Sequence, residues 1–273
     1  MVKRSKNVCH LLALGMMALL WASCNDVFDI HPYDVDFGGE TDINKHNSDS
    51  IRSKCRNKDT LRFVVTGDTQ GWYDELRALV KDVNKRNVDF LIHGGDITNY
   101  GATHEFERQR KILDGLKVPY VVIIGNHDCL GTGIEVYKKM FGDTNFSFIA
   151  GNVKFVCLNT NALEYDYSEP IPDFDYMETE LDKDIGEYER TVICMHAPPY
   201  NEQFNNNVVK AFNHYVGLFP NVLFCTAAHV HRFEYNDLFS NGICYFCSDS
   251  ANHRSYIIFT VTPEGYSYEL IKY

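Results

Sequence analysis

Five short segments of this chain carry residues that favour divalent metals, and each follows an apolar run. They are Gly67-Asp68-Thr69-Gln70, Gly94-Gly95-Asp96, Gly125-Asn126-His127-Asp128, Met195-His196-Ala197 and Ala228-His229-Val230-His231. Carboxylate and amide oxygens mixed with imidazoles suit Mn, Fe or Zn, and the residue types do not choose among the three. The candidate ligands are Asp68, Gln70, Asp96, Asn126, His196, His229 and His231. That is more than one ion takes, so the pattern points to two. Paired cations a few ångströms apart are a recurring device for in-line displacement at phosphorus.

The elements that must position these residues alternate from Leu61 onward. Leu61–Val65, Val88–Ile92 and Val118–Ile124 read as strands that end at the first three segments. Trp72, Leu76, Leu79, Val80 and Val83 recur at helical spacing, and a second helix runs from Thr103, its expected N-cap, to about Leu116. Phe146–Ile149 and Val153–Leu158 flank Ala150-Gly151-Asn152 as a hairpin. Helices over Phe174–Tyr188 and Val208–Phe219 precede or separate the strands Thr191–Met195 and Val222–Ala227, which deliver His196, His229 and His231. The remainder, Phe233–Phe239, Ile243–Cys247, Tyr256–Val261 and Tyr266–Lys272, reads as strand. The expected fold is α/β, a four-layer α/β/β/α sandwich of two mixed sheets flanked by helices. Ligands of open α/β sheets gather beyond the carboxyl ends of the strands, where every candidate here lies.

Residues 1–23 stand apart from this pattern. Lys3, Arg4 and Lys6 precede an apolar run from Val8 to Ala22, shorter than the roughly 20 residues that span a bilayer. The run reads as a signal peptide. Leu20-Trp21-Ala22-Ser23-Cys24 resembles a bacterial lipoprotein processing site, with Trp21 a departure from the usual small or aliphatic residue. That resemblance makes Cys24 the lipidated residue and places the protein in the bacterial cell envelope, anchored to the membrane outside the cytoplasm. Residues 24–58 are rich in Asp, Gly, Asn and Ser and read as an acidic tether. Residues 59–273 form the expected catalytic domain. A net charge of -11 argues against nucleic-acid polymers, which need a basic stripe. Any phosphate chemistry must therefore rely on bound cations. Cys157, Cys194, Cys225, Cys244 and Cys247 sit in apolar strands as small hydrophobes, while Cys129 follows Asp128 at the expected border of the pocket.

The order of the five segments resembles the calcineurin-like metallophosphoesterase family over roughly residues 60–250. The family pattern is D-x-H, G-D, G-N-H-D/E, a lone H and G-H-x-H, on a β-sandwich flanked by helices. The resemblance implies that Asp68 and His231 bind a first metal and that Asn126, His196 and His229 bind a second, with Asp96 bridging. It implies that His127 acts on the phosphoryl group rather than on a metal, and Asp128 is expected to orient it. The implied reaction is hydrolysis of a phosphate ester by a bridging hydroxide, on a phosphorylated small molecule or other ester substrate.

Two positions depart from the family pattern. Gln70 replaces a His ligand with a weaker neutral oxygen, and Ala228 replaces the Gly before the last two histidines. They motivate an alternative, a lipid-anchored binding module that keeps the fold with weak or no catalysis. The subfamily marks of protein Ser/Thr phosphatases and purple acid phosphatases are missing, because Asp96 is followed by Ile97-Thr98-Asn99-Tyr100. Monoesters, diesters, nucleotides, phospholipids and phosphoproteins all remain compatible with the sequence.

Overall fold

A computed structural model describes residues 34–273. The expected leader, the acceptor Cys24 and the first part of the expected tether lie outside the described residues. In chain order the elements begin with α1 (Ile43–Cys55), β1 (Leu61–Thr66), α2 (Tyr73–Val83), β2 (Phe90–His93), α3 (Thr103–Leu113) and β3 (Tyr120–Val122). They continue through α4 (Gly133–Phe141), β4 (Phe146–Ala150), β5 (Val153–Leu158), α5 (Phe174–Asp182), β6 (Arg190–Met195), α6 (Val209–Leu218) and β7 (Val222–Ala227). The chain closes with β8 (Glu234–Asn236), β9 (Tyr245–Cys247), β10 (Ser255–Thr262) and β11 (Gly265–Lys272).

Two mixed sheets result, in the orders β11-β10-β1-β2-β3 and β4-β5-β6-β7-β9-β8. The first has β1, β2 and β3 parallel, the second β5, β6, β7 and β9 parallel. Alternation along each strand sends one set of side chains between the sheets and the other under the helices. Phe63, Val65, Phe90 and Ile92 face inward against Phe148, Phe155, Val192 and Phe224. Val64 and Leu91 face outward to the helices on the first sheet, and Ile193 and Cys225 lie under α5 and α6 on the second. Aromatic rings fasten the two inner faces together. Phe63 stacks on Phe90 at 5.0 Å and Phe148 on Phe155 at 4.8 Å, while Phe63 and Phe155 meet edge to face at 5.1 Å. The four-layer sandwich expected from the sequence is the observed fold.

Several boundaries differ, each for a local reason. The helix expected from Thr103 has Ala102 as its N-cap, and the Glu105 carboxylate accepts the N–H groups of Asn99, Tyr100 and Ala102. The helix expected over 174–188 stops at Asp182, and the strand expected over 233–239 shrinks to three residues. Trp72, expected on the core face of α2, precedes that helix and is 42% exposed. The cysteines from Cys55 onward are free thiols, and all but Cys244 are buried.

The larger correction concerns the tether. Residues 43–55 form α1, with Ile43, Asn44, Ile51 and Cys55 buried. This helix lies over β3 and β4, the neighbouring edges of the two sheets. Asn44 Nδ2 donates to the Val122 carbonyl and Asn44 Oδ1 accepts the Val122 N–H, both at 2.8 Å, and Asn47 donates to Tyr120 O at 2.7 Å. Polar residues here take the hydrogen bonds of an edge strand instead of water, which is one way a sheet edge is closed. Composition alone reads those same residues as a solvated linker. Because Ile51 is fully buried, Ile51→Ala should cost about 2–5 kcal/mol in urea denaturation of the metal-free protein. A change below about 0.5 kcal/mol, typical of exposed positions, would restore the tether reading.

Candidate metal centre

The strands β1, β2, β3, β6 and β7 all end at one rim of the sandwich. Asp68 lies two residues beyond β1, Asp96 three beyond β2 and Asn126 four beyond β3. His196 follows β6 directly, and His229 and His231 follow β7. Backbone hydrogen bonds join these turns. Asp68 N–H donates to Gly95 O at 3.0 Å, Gly94 N–H to Thr66 O at 2.6 Å and Ala228 N–H to His196 O at 2.9 Å. Asp68, Asp96, His229 and His231 all have positive φ, at 50°, 57°, 70° and 54°. Each such residue stores about 1–3 kcal/mol of strain, and such residues gather at functional sites.

Two groups of donor atoms converge there, each within 4.8 Å, and both include Asp96. One is Asp96, His196 and His229, and the other is Asp68, Asp96 and His231. Asn126 completes the first group, because its Oδ1 lies 3.0 Å from His196 Nε2 and 2.9 Å from His229 Nδ1. In the second, His231 Nε2 lies 3.3 Å from Asp68 Oδ1. Asp68 Oδ1 and Gln70 Oε1 are buried without a hydrogen bond, which normally costs about 1–3 kcal/mol for each such group. Orphaned oxygens beside converging imidazoles fit a pair of divalent cations. Six predicted ligands therefore meet in one cup, and Gln70 lies at its edge in the same cleft as His231.

The electrostatics have the same centre. Burial alone would push His196 down, but the Asp96 carboxylate 3.5 Å away outweighs it and holds the imidazole up at about 9. His229 is pushed down by burial and by the charge on His196. Asp96 also accepts the His127 N–H at 2.9 Å. Gly125 permits this approach, since a Cβ there would stand 2.2 Å from the Asp96 carboxylate.

The role expected for Asp128 needs correction. Its carboxylate is fully buried and accepts the N–H groups of Asp96, Ile97, Thr98 and Gly125, together with the Thr98 hydroxyl, at 2.9–3.0 Å. Burial, then the Asp96 charge, push it up to about 7 against the donors of Gly125 and Thr98. Asp128 thus fastens the loop that carries Asp96, because that loop supplies consecutive N–H groups at the right reach. The His127 ring is oriented instead by the Asn99 carbonyl, which accepts from Nδ1 at 2.9 Å. That leaves Nε2 as the nitrogen that can hold or release a proton. Cys129, expected at the pocket border, is buried, with its thiol directed at Gly125 O.

Other buried residues support these turns. His93 is fully buried and pushed down to about 3 by desolvation, so it is neutral. It accepts Gly95 N–H at Nδ1, so Nε2 donates to the Thr69 hydroxyl at 2.9 Å. Thr69 in turn donates to Gln109, whose amide returns to Thr69 O at 2.6 Å. Gln109 sits mid-helix with nothing local to mark it. Glu202, 3.4 Å from His229 Nε2, was equally unmarked. His253 and Arg254 pair with Asp249 and Glu75.

Ala228 is accommodated rather than disruptive. Added Cβ atoms at Gly67 and Gly94 would come within 2.7 and 3.0 Å of its methyl group, so two glycines in neighbouring turns leave room for it. His229 and His231 both reach the cup.

Comparison with known proteins agrees with this geometry. The chain is 29% identical over 126 residues to the uncharacterized protein YvnB of Bacillus subtilis, an alignment covering 41% of this chain and 10% of that one. Its fold resembles a dimetal phosphatase from Danio rerio, with a TM-score of 0.60 and 15% identity over 78% of this chain and 99% of that one. It also resembles the purple acid phosphatase PPD1 of yellow lupin (Lupinus luteus), with a TM-score of 0.59 and 13% identity over 80% of this chain and 52% of that one. The sequence pattern of the calcineurin-like phosphoesterases matches residues 61–233, and the chain belongs to that family.

Proposed function

We propose that the chain hydrolyses phosphate esters at a centre of two divalent cations. The observation that carries this reading is the pair of donor groups that share the Asp96 carboxylate, with Gln70 Oε1 buried without a hydrogen bond beside them and Asp68 Oδ1 meeting only the His231 ring. Asn126, His196 and His229 would hold one cation and Asp68 and His231 the other, with Gln70 supplying a neutral oxygen and Asp96 bridging. When bound, such a pair neutralises charge on the phosphoryl oxygens and lowers the pKa of water. The chain's own part is to position the ester and to manage one proton. His127 lines the cleft beside Gln70 and His231, so its Nε2 can protonate the departing oxygen. Asn99 holds that ring through its backbone, and Asp128 holds the loop of Asp96.

Gln70 favours one competing reading, a binding module with weak or no turnover, because an amide oxygen is a poorer donor to Mn or Fe than an imidazole. Metal analysis combined with hydrolysis of a nitrophenyl phosphate monoester and diester separates the two. The hydrolase should carry two cations per chain, lose activity on chelation and regain it with Mn. Fewer than two cations and no turnover in added Mn would establish the binding module.

His127 and Asp128 should fail in different ways. His127→Ala should lower kcat by about 10²–10⁴, the range of an acid–base group, with two metals retained. Asp128→Asn should lose metal and about 2 kcal/mol or more of stability in the metal-free protein, since its NH2 group replaces an oxygen that accepts at least two N–H groups and each buried donor left unpaired costs about 1–3 kcal/mol. Full turnover in the first variant, or full metal content in the second, would contradict the assigned roles.

The proposal also places the domain on the bacterial cell envelope with a lipid at Cys24, supported by the sequence pattern around that residue. Among the described residues no helix is long and apolar enough to cross a membrane. Cys24→Ala should move the protein from the membrane to the soluble fraction, and an unchanged distribution would count against lipidation.

A further inference from the structure

The rim that carries His127 and His231 opens into a cleft of about 490 Å³ whose remaining walls are Gln70, Gly71, Trp72, Asn99, Ser250 and Asn252. Trp72 is the large apolar surface in that cleft and is 42% exposed. Single exposed aromatic residues are common on protein surfaces. This one is distinguished by its place and its fixed backbone. Its N–H donates to Thr69 O at 3.1 Å and its carbonyl accepts Leu76 N–H at 2.9 Å, so its backbone is anchored between the Asp68–Gln70 turn and the first turn of α2. Gly71 has φ 75°, and a Cβ there would come within 3.1 Å of the Asn99 amide nitrogen. The missing side chain leaves the Asn99 amide close to the cleft wall beside the indole. Asn252 stands exposed and Ser250 buried on the same wall, after β9.

The second feature is charge. Among the described residues no Lys or Arg lines the cleft. The next cation along the chain, Arg254, is paired with Glu75 at 3.3 Å, and His253 faces Asp249. The protein as a whole carries -11. A single phosphate can be neutralised at the metal centre, but a further phosphate in this cleft would meet neutral amides within an acidic field.

We infer that the cleft takes the organic part of an ester carrying one phosphate and a planar aromatic ring, the ring lying against Trp72 and its polar edge facing the Asn99 and Asn252 amides. This rests on the phosphoesterase reading for the position of the phosphate. Stacking on an indole is tolerant of ring chemistry, so phenyl and purine rings both qualify. Polyphosphate esters do not.

Tryptophan fluorescence tests the cleft without requiring turnover, because Trp21 and Trp72 are the chain's two tryptophans. In the full-length, Mn-loaded protein, phenylphosphonate should quench the emission saturably and methylphosphonate much less. The phenylphosphonate quench should disappear in Trp72→Phe. Equal quenching by the two phosphonates, or quenching that survives Trp72→Phe, would overturn the stacking. With excess Mn, adenosine monophosphate should bind more tightly than adenosine diphosphate, and the reverse order would overturn the single-phosphate requirement. In turnover, Trp72→Ala should lower kcat/KM for bis(nitrophenyl) phosphate about three- to tenfold more than for glycerophosphocholine, the range an aromatic contact supplies. An equal loss on both esters would also overturn the inference. If neither ester is cleaved while the phosphonates are still discriminated, the hydrolase reading fails and the cleft assignment stands.

Discussion

Negative charge is concentrated where the two sheets end, and the rest of the site answers it. Asp68, Asp96 and Asp128 are each at most 1% exposed and lie on adjoining turns. Burying an ionised carboxylate costs several kcal/mol unless charge or hydrogen bonds compensate. Asp128 accepts five donors and becomes part of the scaffold, although burial and the Asp96 charge still hold its carboxyl above the usual carboxylate range. Asp68 and Asp96 are compensated mainly by imidazoles, which a bound cation would need in neutral form. Asp96 has one backbone donor and the nearby His196, while Asp68 Oδ2 accepts the His229 N–H and Oδ1 faces the His231 ring at 3.3 Å. A cation pair would supply the remaining positive charge. Because the unfolded chain has no preformed cup, binding of those cations would contribute directly to the stability of the fold.

The backbone explains why this deficit persists. Four of the candidate ligands occupy the left-handed region, and neighbouring glycines allow turns to approach closer than side chains would permit. Such turns are held by the two sheets beneath them, whose inner faces interlock through paired phenylalanines. A rigid base over-determines the strained positions, so the donor atoms need little reorganisation when a cation arrives. Low reorganisation is also what electrostatic catalysis requires. Stability and chemistry here use the same packing.

Much of this was readable before the fold was known, and the reasons are local. A short apolar run followed by Gly and Asp carries both its burial and its end-point in consecutive letters, as in β1 and β2, which are buried along nearly their whole length. Order along the chain then stood in for convergence in space. What escaped was encoded across distance. α1 is polar in composition because Asn44 and Asn47 close a strand edge about 75 residues away. Trp72 shares the spacing of Leu76 and Leu79, yet that spacing cannot report that the helix starts one residue later. The role of Asp128 was misread because adjacency to His127 suggested contact, whereas the consecutive N–H groups of Asp96, Ile97 and Thr98 offer it a better set of donors. Gln109 and Glu202 had no local mark at all.

The two departures from the family pattern take on different weights once the surroundings are known. Ala228 is matched by Gly67 and Gly94, so a methyl group was gained where two neighbours leave room for it, and the histidines after it keep their positions. Gln70 has no such compensation. Its oxygen remains buried and unpaired at the edge of the cleft, next to His231, which is half exposed. The cation on that side would therefore be held by fewer strong donors and in greater contact with solvent than the one enclosed by Asn126, His196 and His229. Asymmetry of this kind would make the Asp68–His231 side the half of the centre more responsive to metal concentration. It is also the half that shares a cleft with Trp72. Occupancy of the weaker position and recognition of the organic part of a substrate are thus neighbours in space, so a ligand lying against Trp72 would be sensitive to whether that cation is present.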